Sequence, residues 1–519
     1  MLTQFYIEHT FESTGRAGRP PPRKDGSVAA KIRSALSRAR LEWLAVVAFV
    51  VAATVASLYA NGHDVRRFLS TNDFPAFYCA GQVARAGADP YQRWPLETCE
   101  RSAAWLPAGY DPPLATLEPA PLPGYLVAFF AIVSLVPYMT ASVLWVGLTV
   151  VATLAAIWAL RELTGLPRLA IAATLFATDI VDCIAWGQLS PVAMLGIALC
   201  GLFLRRGQPR AAAFAALLTL IQPQLGLPVM LALFVWVPRA RLVLVLAAVV
   251  FAGLSLLWLG PAANLEYVRQ VLPGQAASEA PFRIQYSFTW LLYFFGASEA
   301  TALKFSGYEY ALAALAGVLL APRVAKALDA PEALVAFPAA CALLGGTYLH
   351  LFQMCAAVPF GLILVARAPR LRPVAWAGLA LLALPWNALG ARAWYLGGAV
   401  ALLILLLAAG EALPRPRRAA LTIAALGLYL LFPRMLAAVP NALRPPAPIA
   451  TFQALGLDRS VAAVQHGYNL RLDPELTATS WRQFVEKVPD WAGLLLLFGA
   501  GLAASGQTAV ATSLGRSRS

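Results

Sequence analysis

The sequence predicts an all-α polytopic membrane protein: a bundle of about 12–14 transmembrane helices with amphipathic helices in its outer loops. Three observations lead there. Of 519 residues, 60% are hydrophobic and only 13% are charged, where soluble domains carry about a quarter charged residues. Apolar runs of roughly 20 residues recur along most of the chain, and each is long enough to cross ~30 Å of hydrocarbon as a helix. The runs are continuous rather than alternating, which excludes a transmembrane β-barrel.

Residues 1–40, with "GRAGRPPPRK", read as a disordered basic cytoplasmic tail. They are too long for the first part of a signal peptide, and the apolar run 41–60 is longer than a signal-peptide core, so that run reads as a retained first helix. A first outer loop follows at 61–113, with amphipathic pieces at 74–87 and 94–105. The run 114–136 ("LATLEPAPLPGYLVAFFAIVSLV") is interrupted early by three prolines and Glu118. If it crosses, Arg161 and Arg168 fall outside; if it dips and returns, every later basic loop falls inside. The second reading is preferred, because proline-broken backbone is tolerated where it lines a cavity. Crossings follow at 138–160, 168–185, 190–204, 210–222, 223–237 and 240–260, then an outer segment at 261–303. Next come 304–321, 332–350, 352–367, 373–390, 393–410 and 418–436, a third outer loop at 437–489, and a last helix at 490–506. Residues 41–370 thus form one module, 371–436 add helices, and 490–519 hold the last helix and a cytoplasmic tail.

The net charge of +14 suggests nucleic acid in a soluble protein, but here it is dispersed rather than gathered on one face. Basic residues collect in short connections, "RRGQPR" (205–210), "RAPRLR" (367–372) and "RPRR" (415–418). Such clusters mark cytoplasmic loops. The chain is therefore expected in the plasma (inner) membrane, multi-pass, with a cytoplasmic N-terminus and no nucleic-acid partner. Of six cysteines, Cys183, Cys200, Cys341 and Cys355 lie in apolar runs as packing residues. Cys79 and Cys99 share the first outer loop, where a disulfide is open to them in an oxidising compartment. No Cys-x-x-Cys pair or His cluster suggests a metal site, so no cofactor is expected; a metal requirement is left open.

Chemistry gathers at the polar breaks. Asp73 lies a dozen residues beyond the first helix, beside Asn72 and ahead of Phe74, Phe77 and Tyr78. A carboxylate held beside apolar rings at a membrane boundary is partly desolvated and a better base than one in water; an ordinary solvated acid is the bland alternative. "GADPY" (87–91), "YDPPLATLEPAPLP" (110–123), "WGQLSP" (186–191), "LIQPQLGLP" (220–228) and "GTYLHLFQM" (346–354) all fall on the side of Asp73. That arrangement suits one outward-facing cavity. Asp179 and Asp182, three apart, share a helix face and suit sugar hydroxyls, a cation or a structural arginine equally well.

The order "NDF…Y…GADPY", "PPL…P", "WGQLSP", "IQP" and "YLH" over roughly residues 40–370 resembles glycosyltransferase family 87. These are polytopic enzymes of the lipid-donor (GT-C) type, including polyprenyl-phosphate-mannose-dependent mannosyltransferases. The resemblance implies inverting transfer of a hexose, mannose first, from a polyprenyl-phosphate sugar donor to a lipid or glycan acceptor on the extracytoplasmic face. It implies that Asp73 takes the acceptor's proton. Candidate substrate contacts are Tyr78, Gln188, Gln222, Arg283 and His350. Relatives often carry Lys before the proline of "IQP", where Gln222 offers no charge, so another cation is expected at the donor phosphate: His350, Arg283, Arg66 or Arg67. Asp111-Pro112-Pro113 and Gln353 also depart from the family pattern. A transporter or flippase for a lipid or glycolipid would use the same cavity with Asp73 dispensable, and a non-catalytic envelope scaffold would tolerate changes at all these positions.

Overall fold

The computed structural model describes residues 40–48, 73–103, 120–178, 180–383, 415–440 and 479–516. Most of the expected first helix (49–60), the crossing 393–410 and most of the third outer loop (441–478) lie outside them. The described chain is helical almost throughout. Among the described residues, four helices are long and apolar enough to cross a membrane: Tyr138–Thr164, Pro238–Ser278, Glu299–Leu328 and Trp481–Gly506. At 1.5 Å per residue the first, of 27 residues, spans roughly 40 Å. The second kinks where Gly260 leaves helical backbone before Pro261, as expected of a residue with no N–H to donate. That kink coincides with the expected membrane boundary at 260.

Other apolar helices run 10–17 residues: Ser190–Arg205, Pro223–Trp236 and Leu351–Arg367 keep close to the expected crossings, while Arg168–Ala177 and Ala333–Ala342 stop well short of 168–185 and 332–350. Their breaks carry polar residues. Gln222 (φ −126°, ψ 90°) separates the 3₁₀ turn Leu217–Ile221 from the helix Pro223–Trp236. Of the run 114–136, the described part from 120 holds the helix Gly124–Val133, ten residues or about 15 Å, half the hydrocarbon thickness.

Two features orient the bundle. At one end Glu332 lies between Arg205 (3.4 Å) and Arg367 (3.8 Å), so two of the expected cytoplasmic loops meet there. Arg205 and Arg367 also both donate to the Leu163 carbonyl. Arg168, a few residues on, pairs with Glu42 at 2.9 Å, which sets it beside the start of the first helix. The helix Ser190–Arg205 has 16 residues and leads from this end to the opposite one, about 24 Å away.

At that opposite end the segment expected to be the first outer loop folds onto the bundle. Helices Phe74–Arg85 and Arg93–Ala103 are joined by a Cys79–Cys99 disulfide. Glu97, buried, is held by Arg93 and Arg101, each at 2.5 Å. Helix Phe74–Arg85 packs on Gly124–Val133 so closely that a Cβ on Gly81 would sit 2.2 Å from the Phe130 carbonyl carbon. Only glycine fits there. The "GADPY" turn serves this docking: the Tyr91 hydroxyl donates to the Leu122 carbonyl at 2.7 Å.

Candidate active site

Asp73 immediately precedes the helix Phe74–Arg85, and the aromatics around it are its mount. Phe74 is fully buried and stacks on Trp145, centroids 5.6 Å apart. The Trp145 indole N–H donates to the Gly187 carbonyl at 2.9 Å. Gly187 (φ +73°) ends the helix Ile180–Ala185 in the left-handed region, where glycine carries no steric penalty. The Asp73 N–H then donates to the Trp186 carbonyl at 2.9 Å, and Gln188 Nε2 donates to Asp73 Oδ2. One indole therefore locks two sequence-distant segments, and with them the acid and its amide partner.

These residues open on a cavity of about 180 Å³. Asp73, Trp186, Gln188, Gln222, Gln224, Gln275, Glu279, Tyr348, His350 and Gln353 form its polar lining, with Phe77, Leu122 and Leu126 among its apolar walls. Gln222 Nε2 donates to Ser190 Oγ at 2.9 Å. The buried amide oxygens Gln222 Oε1 and Gln275 Oε1 accept no hydrogen bond. Buried acceptors are rarely left so, and a ligand rich in hydroxyl donors would satisfy both.

Opposite lies a second carboxylate. Glu279 Oε2 is 2.5 Å from His350 Nε2 and accepts from Gln285 Nε2 at 3.2 Å, while Oε1 accepts from Gln275 Nε2 at 2.5 Å. Both of its oxygens are engaged, so Glu279 orients its neighbours. His350 is fixed through its backbone as well. Residues 284–286 and 349–351 pair as a short antiparallel bridge, with Tyr286 N donating to Leu349 O at 2.7 Å and Leu351 N to Ile284 O at 3.1 Å. The last helix grips the far side of this strap: Arg283 pairs with Glu486 at 2.9 Å, and Lys487 Nζ donates to the Arg283 carbonyl.

Four of the sequence candidates, Asp73, Gln188, Gln222 and His350, thus line one cavity. Tyr78 and Arg283 are not on its lining. The Tyr78 hydroxyl donates to the Val136 carbonyl at 2.9 Å, and burial pushes its phenol above the ordinary value. Arg283 is turned to Glu486. Arg66, Arg67, Asp111 and Asp179 lie outside the described residues; Asp182 lies in the helix Ile180–Ala185. Sequence reasoning missed Glu279 and Gln275, although "GQAASE" places a glutamine and an acid four apart on one helix face, a spacing at which side chains meet. Among the described residues no group of three or more His, Cys, Asp or Glu side chains could hold a metal ion.

The strap, the Gln222 break, the "WGQLSP" turn and His350 all fall within one segment that matches a known family. Residues 123–359 carry a glycosyltransferase family 87 domain. Membership of that family implies a membrane glycosyltransferase. Gln188, Gln222, Glu279 and His350 belong to the family 87 domain, whereas Asp73 reaches the cavity, and the last helix the strap behind it, from outside the matched segment. No curated protein and no solved structure matches the chain.

Proposed function

We propose that the chain is an inverting hexosyltransferase with Asp73 as its base. It moves a hexose, mannose as first candidate, from a polyprenyl-phosphate donor to a lipid or glycan acceptor. The carrying observation is the placement of Asp73. It is the one carboxylate on the cavity lining, besides the fully engaged Glu279, among the described residues. In the reaction Asp73 accepts the acceptor hydroxyl's proton as that oxygen bonds to the anomeric carbon. The bond from that carbon to the phosphate oxygen breaks, and its electron pair leaves on the phosphate. Base and leaving group must face opposite sides of the sugar, so the donor phosphate lies away from Asp73.

Gln222 and Gln275 present acceptors to the sugar hydroxyls, and Gln188 keeps the Asp73 carboxylate aimed. A lipid-borne donor is supported by a second, apolar cavity of about 530 Å³ that adjoins the first and shares Pro121, Pro223, Gln224, Gln275 and Tyr348 with it. The extracytoplasmic orientation is supported by the Cys79–Cys99 disulfide beside Asp73, since disulfides persist in oxidising compartments. The basic cluster around Glu332 at the opposite end agrees with it. The test is to reconstitute the full chain in lipid and offer polyprenyl-phosphate hexoses with a membrane-lipid extract. Mass spectrometry would follow the transfer and NMR the anomeric configuration. An inverted hexose product is expected; retention of configuration, or donors left untouched, would overturn the reading.

A further inference from the structure

The polar cavity is a poor place for a phosphate. Two carboxylates, Asp73 and Glu279, line it, and its two unsatisfied side-chain atoms, Gln222 Oε1 and Gln275 Oε1, are acceptors. Acceptors suit hydroxyl donors, while a phosphate oxygen brings no proton to them and is repelled by both acids. Of the cations expected from the sequence, the two among the described residues are engaged elsewhere: Arg283 by Glu486 and His350 by Glu279. The adjoining cavity differs in both respects. Its walls are mostly apolar, including Leu227, Leu272 and Leu303, and among the described residues its single charged lining residue is Lys304. Lys304 lies near the start of the membrane helix Glu299–Leu328, level with the expected outer membrane boundary.

We infer that the apolar cavity binds the chain of an isoprenoid phosphate and that Lys304 is its phosphate contact. The inference rests on the lipid-phosphate donor proposed above and assigns its phosphate to a residue outside every sequence motif. The sugar then projects past Gln275 and Tyr348, the wall shared by both cavities, toward Gln222 and Asp73. Base and leaving group fall on opposite sides of the sugar, as inversion requires. Chemistry gives Lys304 more work as the reaction proceeds. The donor phosphodiester carries one negative charge, and cleavage of its sugar–oxygen bond leaves a monoester able to carry two. An ammonium beside it is therefore attracted more strongly in the transition state than in the ground state.

The test uses the full chain in phosphatidylcholine nanodiscs with farnesyl phosphate as probe, and farnesol and inorganic phosphate as companions. Wild type is expected to bind farnesyl phosphate more tightly than farnesol, with inorganic phosphate a poor competitor. Lys304→Gln should weaken farnesyl phosphate by about tenfold or more, leave farnesol unchanged and keep the thermal midpoint. Lys304→Arg should recover most of the affinity. Equal binding of farnesyl phosphate by wild type and Lys304→Gln would overturn the assignment and leave Lys304 a contact of bulk lipid headgroups. Full competition by inorganic phosphate would overturn the lipid part of it. Turnover separates this from the reading beneath it. Transfer by Lys304→Gln at the wild-type rate sinks the Lys304 assignment alone. No transfer by wild type from any polyprenyl-phosphate hexose, with farnesyl phosphate still bound through Lys304, sinks the donor reading and keeps the site.

Discussion

Two buried carboxylates lie beyond opposite ends of the helix Ser190–Arg205 and are held in opposite ways. Glu332 sits between the guanidinium groups of Arg205 and Arg367. Glu279, at the cavity, meets His350 and the neutral amides of Gln275 and Gln285, and the nearby Asp73 meets the amide of Gln188. Arginines cancel a charge and fasten the elements that carry them, since a guanidinium does not release its proton. A neutral amide, as Gln188 gives Asp73, orients a carboxylate without cancelling it, so that charge stays available to a substrate. One end of the molecule is therefore built for holding, and the other suits the chemistry proposed for it.

Breaking the holding end should cost the most stability. Glu332→Ala removes the buried anion between two partly exposed guanidinium groups that keep only the Leu163 carbonyl, and is expected to destabilise by about 1.5–3 kcal/mol. A detergent thermal melt reads the loss, while turnover per folded molecule stays near wild type. A stable, inactive Glu332→Ala protein would erase the distinction between the ends. At the chemical end, Glu279→Gln keeps the shape but removes the charge that orients His350. About 10–100-fold loss of turnover is expected, roughly 1.4–2.7 kcal/mol of transition-state stabilisation, with the melting temperature little changed. Unaltered turnover would demote the Glu279–His350 pair to scaffold.

Gly81→Ala sharpens the comparison from the side of the mount. A methyl group there meets the Phe130–Ala131 backbone and must push the helix Phe74–Arg85 away, at about 1–3 kcal/mol. Because Asp73 heads that helix, turnover should fall together with stability, unlike either carboxylate variant. Limited proteolysis between residues 73 and 103 would report the loosened loop.

The smallest effect concerns pH. Burial raises the Glu97 carboxyl, but Arg93 and Arg101 outweigh it and hold the group below its ordinary 4.5. With the folded-state value depressed, the clip's contribution is fully present above about pH 4.5 and is lost as pH falls through the lower folded value. Hydrogen exchange over 93–103 should accelerate across that acid window in wild type. In Glu97→Gln it should be faster at neutral pH and flat across the window.

How far the sequence reached differs between the parts of the site. Asp73, Gln188, Gln222 and His350 stood out because each is polar in a break of an otherwise apolar chain, and such breaks are tolerated at membrane depth mainly where they line a cavity. Tyr78 was grouped with Asp73 by proximity in sequence. Five residues along a helix, however, turn a side chain by about 140° away, whereas Phe77, four residues on, returns to the same face and lines the cavity. Arg283 looked like a free outer cation because its partner, Glu486, lies 203 residues away. Lys304 was unreadable for a related reason: nothing local distinguishes a lysine at a helix start from an ordinary headgroup contact, and only packing sets it on the wall of a cavity. The fold itself was more legible, since hydropathy alone marks apolar helices. Where those helices shorten and break depended on prolines and on how neighbouring segments close the gaps.

The account turns on Asp73. The direct measurement compares wild type with Asp73→Asn, each reconstituted and checked for an equal thermal midpoint, in transfer from a polyprenyl-phosphate hexose. Loss of a general base costs about 10²–10⁴-fold in rate, while donor binding should be kept. Equal transfer rates in the two proteins would contradict the account and move the base elsewhere on the chain.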